Sequence, residues 1–450
     1  MSSNEELLKE NIRINNDYEE FTKSSSPSTD GPEIRKFRAS PSIAVVGSIV
    51  KLKWECDKSI SGLEIRAQNG EIIDTSGKNK EGDSKDITIE DRNLPETTYE
   101  LIAHRGEKET SKKITVRVFD HSHWVSAAEP WKDEGRIAGL IVNSDGDMLY
   151  AIVKEEGGVG SLWHSPDGFS KWEKININED IPEDMTTSPA VFFNGKLVLL
   201  GGSKIIPKQV SNEIYMFDFE RMKWVLKPET NPVWSQRMGH ACIVFPDQKG
   251  DEKIWVLGGA DENSNGLNDI WTWNGKDWKE EETNPPWAYR CMFEAATNGS
   301  ELWIAGGFTD PEGKAITNIW KKDSEEDAWK QVMKSQNEPF SILDSGRLYA
   351  STIVSLYNQV YIIGYQDQGK TGNGPIVFYS IQERRGFYCS QELSTRPELP
   401  ALRKPPSRIE SVTFNGCIWQ FTQGYLGNGR VENSGLYYWV PPKPPTVQTG

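Results

Sequence analysis

The stretch ETNPVWSQRMGHACIVF, Glu229–Phe245, returns in altered spelling as ETNPPWAYRCMFEAAT, Glu282–Thr297. A phrase written twice, about 53 residues apart, marks a repeated structural unit. Repetition at that period limits the fold more than any single motif does, because one unit cannot bury its apolar face alone and must stack against its neighbours.

Each unit contains an apolar strand closed by small residues: KLVLLGG to Gly202, KIWVLGG to Gly259 and ELWIAGG to Gly307. Weaker forms are DMLYAIV to Val153, QVYIIGY to Tyr365 and CIWQFTQ to Gln423. Successive strands lie about 48 to 58 residues apart. A second landmark follows in each unit, two strands around a tight turn, the last of them opening with Trp172, Trp224, Trp278, Trp329 or Phe387. About four strands per unit describe one blade of a β-propeller. With 17 Trp, 39 Gly and many turn-rich connections, the composition agrees with an all-β protein. Six units are counted, and the sixth ends at GLYYWVPP without its Trp strand. The unmatched HSHWVSAAEPW lies just ahead of the first unit, so Trp124 is expected to complete the last blade and remove an exposed edge.

Ahead of the repeat, residues 33–119 alternate apolar and polar positions. Val50, Leu52 and Trp54 share one face, as do Tyr99, Leu101 and Ala103, and Ile114, Val116 and Val118. Period-2 runs separated by turns predict a small antiparallel sandwich. Residues 1–32 dissolve into SSSPSTDGP and read as a flexible tail, as do residues 443–450. The propeller is assigned residues 120–442.

Two resemblances sharpen this reading. FRASPSIAVVGSIVKLKW resembles the opening strands of bacterial immunoglobulin-like domains, although Cys56 has no partner for an inter-sheet disulfide. The Gly-Gly pair, the following aromatic and the closing Trp resemble the kelch motif, the propeller family that includes kelch adaptors and galactose oxidase. The implied fold class is an all-β, six-bladed kelch-type β-propeller preceded by an immunoglobulin-like β-sandwich. In some kelch adaptors, arginines ahead of the innermost strand receive acidic peptides.

Aligning the units puts Arg136, Arg237, Arg290, Arg347 and Arg408 at the entries to innermost strands, with Thr187 breaking the series. Two unit charges ~8 Å apart repel by about 2 kcal/mol at an effective dielectric of ~20, so such arginines need acidic partners. Each could pair internally with a carboxylate or a carbonyl between blades, and Asp184, Asp261, Asp310 and Asp344 are the loop carboxylates on the expected face. Arginines left unpaired would grip a carboxylate on a peptide or glycan in bidentate fashion. The candidate ligand-binding set is Arg136, Arg237, His240, Arg290, Glu294, Arg347, Arg408 and Tyr425.

The balance of charge narrows the partners. A net charge of −15 argues against nucleic acid and acidic membranes, and no apolar run reaches the ~20 residues of a membrane span. The start MSSNEELLKENIRINN lacks a secretory signal, so a soluble, cytoplasmic protein is expected, with release by a non-classical route left open. Five scattered cysteines, none in CxxC spacing, predict neither a disulfide framework nor zinc. Copper-radical chemistry would need histidines in the last blades, where none stand. No metal, cofactor or catalytic residue is assigned. The leading expectation is a non-catalytic recognition protein for a polar or acidic peptide or glycan. A cofactor-free sugar mutarotase or epimerase, using Arg290 with Glu294 or Arg237 with His240, is the alternative. A docking component of a bacterial assembly is the third.

Overall fold

The computed structural model describes residues 31–440 except for 178–187, 227–233, 310–315, 334–347, 367–375, 389–405, 425–434 and some shorter internal stretches. Every described element is a β-strand, and none of the described residues forms a helix long and apolar enough to cross a membrane. The chain divides into two compact units, one reaching His121 and the other running Ser122–Pro441.

In the first unit, Ile49–Cys56 pairs with Ile34–Ser40, Glu81–Asp83 and Ile87–Thr88. A second sheet has the order Ile43–Val45, Lys108–Phe119, Glu96–Arg105, Gly62–Ala67 and Ile72–Ile73. Val50, Leu52 and Trp54 from one sheet meet Tyr99, Leu101, Ala103, Val116 and Val118 from the other in a single core. The alternation in the sequence therefore describes a two-sheet sandwich, with Ile114 at its partly buried margin. Cys56 lies in this core, where burial, then the Asp57 and Glu55 charges, push its thiol up to about 11. It is an inert packing residue.

The second unit contains, among the described residues, six four-stranded antiparallel sheets. Their first strands are Gly135–Val142, Ala190–Phe193, Ala241–Pro246, Glu294–Thr297, Leu348–Leu356 and Pro406–Phe414. Each first strand touches that of the next sheet, and the sixth touches the first, so the order is cyclic. Apolar clusters fill the spaces between neighbours. Leu197, Leu199 and Phe217 of the second sheet pack on Tyr150, Ile152 and Leu162 of the first, and Trp255, Leu257 and Ile270 of the third pack on Leu302 and Ile304 of the fourth.

The sixth sheet takes its outer strand from far upstream. His123–Ser126 pairs with Gly435–Val440, and Trp124 lies opposite Trp439. Trp124 is buried, which meets the expectation drawn from the truncated sixth repeat. The Ser165–Gly168 turn is held by its own groups. Ser165 Oγ accepts the amides of Asp167 and Gly168, and Trp172 Nε1 donates 2.8 Å to the Gly168 carbonyl.

Candidate functional site

The glycine pairs explain where the arginines go. Gly201–Gly202, Gly258–Gly259 and Gly306–Gly307 all adopt positive φ, from 55° to 110°, a region side chains resist. Room is also lacking. A Cβ on Gly307 would stand 2.7 Å from the Cys291 carbonyl, and one on Gly259 would stand 2.8 Å from His240 Cβ. The left-handed pair aims one carbonyl of each second strand inward, and a side chain from the strand entry caps it. Arg237 Nη1 donates to Gly258 O at 2.9 Å, and Arg290 Nη1 donates to Gly306 O at 3.2 Å. In the second sheet, whose entry lacks arginine, the Ser188 hydroxyl donates to Gly201 O.

Arg237 has no solvent exposure and spends all five N–H donors. Beyond Gly258 O, they reach Ser235 O and Oγ at 3.1 Å each and both carboxylate oxygens of Asp269 at 2.7 Å each. Its guanidinium also lies 5.3 Å from the Trp234 ring centroid. Burial works to raise the Asp269 carboxyl, and the bidentate Arg237 overrides it, holding the group below the usual range. The expectation that Asp261 serves as the internal partner is corrected. Asp261 instead accepts the amides of Asn263 and Asn265, closing its own turn.

Arg290 is equally sealed and less well served. Its bonds are to Ala288 O at 3.4 Å, Gly306 O and Asn318 Oδ1 at 2.8 Å, with the Trp287 and Phe293 rings at 5.4 and 5.8 Å. Burial pushes this guanidinium down to about 9, leaving it charged at neutral pH.

Asp269 and Asn318 occupy one position in a pattern the sequence reading missed. Glu213, Asp269 and Asn318 each precede an isoleucine and then an aromatic whose polar hydrogen points back to them. Tyr215 OH donates to Glu213 at 3.4 Å, Trp271 Nε1 to Asp269 at 2.8 Å and Trp320 Nε1 to Asn318 at 3.2 Å. The recurrence of a polar residue two places before an aromatic was the available signal.

His240 is buried, with Nε2 3.1 Å from the Leu200 carbonyl of the second sheet. Burial, then the Arg237 charge, push its imidazole down to about 3, so it is neutral and donates to that carbonyl. Thus Arg237, His240 and Arg290, candidates for ligand binding, are buried in the wall, and each serves a backbone carbonyl, the internal pairing that the sequence left open for the arginines. Glu294 stands in the first strand of the fourth sheet, partly buried and opposite Ala305. Arg136 and Arg408 fall in first strands as expected, pairing with Lys154 and Gln423, although their side chains lie outside the described residues. Arg347, Tyr425, Thr187, Asp184, Asp310 and Asp344 lie outside them altogether. Elsewhere, a cavity of about 750 Å³ is lined by Met148, Tyr150, His164, Phe219 and Met222 of the first and second sheets.

Residues 187–385 match the KLHDC2/KLHL20/DRC7 Kelch-repeats domain. The matched region includes the three glycine pairs and both sealed arginines. Kelch domain-containing protein 10 from Homo sapiens and from Bos taurus are each 21% identical to the chain over 269 residues, 57% of this chain and 56% of theirs. The chain thus spans little more than half the length of these curated relatives. Among solved structures, one described as the structure of YjhT aligns with a TM-score of 0.48 at 14% identity, covering 69% of this chain and 96% of that one.

Proposed function

We propose that the second unit is a six-bladed, kelch-type β-propeller and that the protein is a non-catalytic binding protein whose ligand, a segment of another protein, docks on the loops entering the first strands. The sandwich is read as an immunoglobulin-like spacer. The cyclic contact of six first strands supports the propeller, and the Kelch-repeat match supports protein binding. The observation that carries the functional reading is the complete internal use of Arg237. A guanidinium with five satisfied donors and no exposure has nothing to offer a substrate. Beside it, a neutral histidine bonded to a carbonyl is a wall residue. The guanidinium is spent within the third sheet and the histidine on a bond to the second, which leaves the loop surface as the variable, ligand-facing part.

The test is a screen of the full-length chain against a displayed random-peptide library and a glycan array in parallel. Saturable peptide binding, competed by soluble peptide, is the expected result. Glycan binding without peptide binding, or accelerated anomer exchange of acidic sugars followed by NMR, would overturn the reading in favour of a sugar-converting site.

A further inference from the structure

The repeated phrase provides an internal control. Aligned residue by residue, Trp234-Ser-Gln-Arg-Met-Gly-His240 of the third sheet corresponds to Trp287-Ala-Tyr-Arg-Cys-Met-Phe293 of the fourth. Gln236 and Gly239 are thereby matched with Tyr289 and Met292. Both replacements are large, apolar and turned to solvent: Tyr289 is 43% exposed and Met292 is 59% exposed.

Met292 also holds φ at +53°, close to the +62° of Gly239. The left-handed turn is natural for glycine and unfavourable for a long side chain. A residue that bears conformational cost and hides little apolar surface gains nothing for folding.

The two side chains form one patch across the loops of the third sheet. Met292 N donates 2.7 Å to the Gly239 carbonyl, and its sulfur lies 3.1 Å from where a Gly239 Cβ would stand. Tyr289 lies over Gly266 so closely that a Cβ there would come within 2.1 Å of the ring. Gly239 follows Met238, which bridges to Ala260, and Ala260 bridges to Gly266, so both glycines belong to one ribbon. Half-buried Met238 belongs to this ribbon, directly before Gly239. Tyrosine is enriched among the residues that anchor interfaces, and methionine's flexible thioether adapts to an apolar partner. One side of the patch carries a free negative charge. The Asp261–Asn265 turn that leads into Gly266 carries exposed Glu262, while the two described arginines nearby are sealed inside the wall.

We propose that Tyr289, Met292 and Met238 form the anchor pocket of the loop surface, and that its ligand is a protein segment presenting a large apolar side chain beside a lysine or arginine. This inference rests on the peptide-binding reading above and reverses the charge expected of the ligand. The partner's apolar side chain lies over the Tyr289 ring and the Met292 thioether, and its cation faces Glu262.

Two fluorescent peptide pools of equal length test it with the full chain, one placing Leu, Met or Phe beside Lys, the other placing them beside Glu. The lysine pool is expected to bind about 10-fold more tightly. Tyr289→Gln and Met292→Gly, which install the third-sheet residues, should each weaken it by about 30-fold, the size of a hot-spot loss. Thermal melts separate docking from packing: Met292→Gly should keep or raise the Tm, since glycine accepts the left-handed turn. A fall in Tm for Met292→Gly, preference for the glutamate pool, or lysine-pool binding indifferent to both variants would overturn the inference and leave peptide binding standing. Failure of both pools would remove the parent reading as well.

Discussion

The entries to the third and fourth sheets are two versions of one sentence, and their differences separate what the repeat requires from what it leaves free. Both set a guanidinium over a tryptophan, at 5.3 and 5.4 Å, and both cap the carbonyl of the first glycine in the pair. Those contacts are backbone geometry, and both sheets keep them. Charge compensation is not kept. Asp269 becomes Asn318 and Ser235 becomes Ala288, so a cation with matched donors in one sheet has only neutral acceptors in the next. The same version that gives up the carboxylate turns Tyr289 and Met292 outward. The fourth-sheet entry thus combines the less compensated cation with two exposed large side chains.

Removing the anion should produce the largest change. Asp269→Ala leaves Arg237 charged and buried, and should cost about 3–5 kcal/mol in urea unfolding. A loss under about 1 kcal/mol would mean that the third sheet tolerates an uncompensated cation as the fourth does, and the comparison would fail.

The second test uses acid. Folded His240 titrates at about 3 and an unfolded histidine near 6.5. Above 6.5 both states are neutral. As pH falls through 6.5, the unfolded chain binds a proton that the folded chain refuses, so stability drops by about 1.4 kcal/mol per pH unit until the folded group titrates. At pH 5 the deficit is about 2 kcal/mol. His240→Phe, which supplies the ring of the fourth sheet, should flatten this limb in urea titrations at stepped pH. An unchanged limb would show that His240 takes a proton in place.

The smallest effect should come from repair. Asn318→Asp offers Arg290 a charge-assisted bond and should raise stability by about 1 kcal/mol at neutral pH, measured as a shift in urea midpoint. Loss of stability would place the cost of desolvating the new carboxylate above its gain.

Much of the architecture was legible because periodicity reports burial directly. Alternation at Val50, Leu52 and Trp54 marked one wall of the sandwich core, and the orphaned Trp124 marked the closing strand. The arginine partners were not legible. Loop aspartates looked available in the sequence, yet Asp261 is consumed by the amides of its own turn, while Asp269 was passed over as part of a strand. Pairing depends on which carbonyl the glycine pair turns inward, and that is set by φ rather than by spacing. The exposed patch was missed for a different reason. Its signal is the contrast of Gly239 against Met292, which carries meaning only when the left-handed turn is known.

The strand His123–Ser126, sealed against Gly435–Val440, imposes an order on biosynthesis. It leaves the ribosome first and must wait for a partner roughly 300 residues behind it. At about 5–20 residues per second that delay is on the order of 15–60 s. Throughout that interval Trp124 and its neighbours hold an unsatisfied edge, and the nascent chain carries an open seam that closes only once Gly435–Val440 has been made.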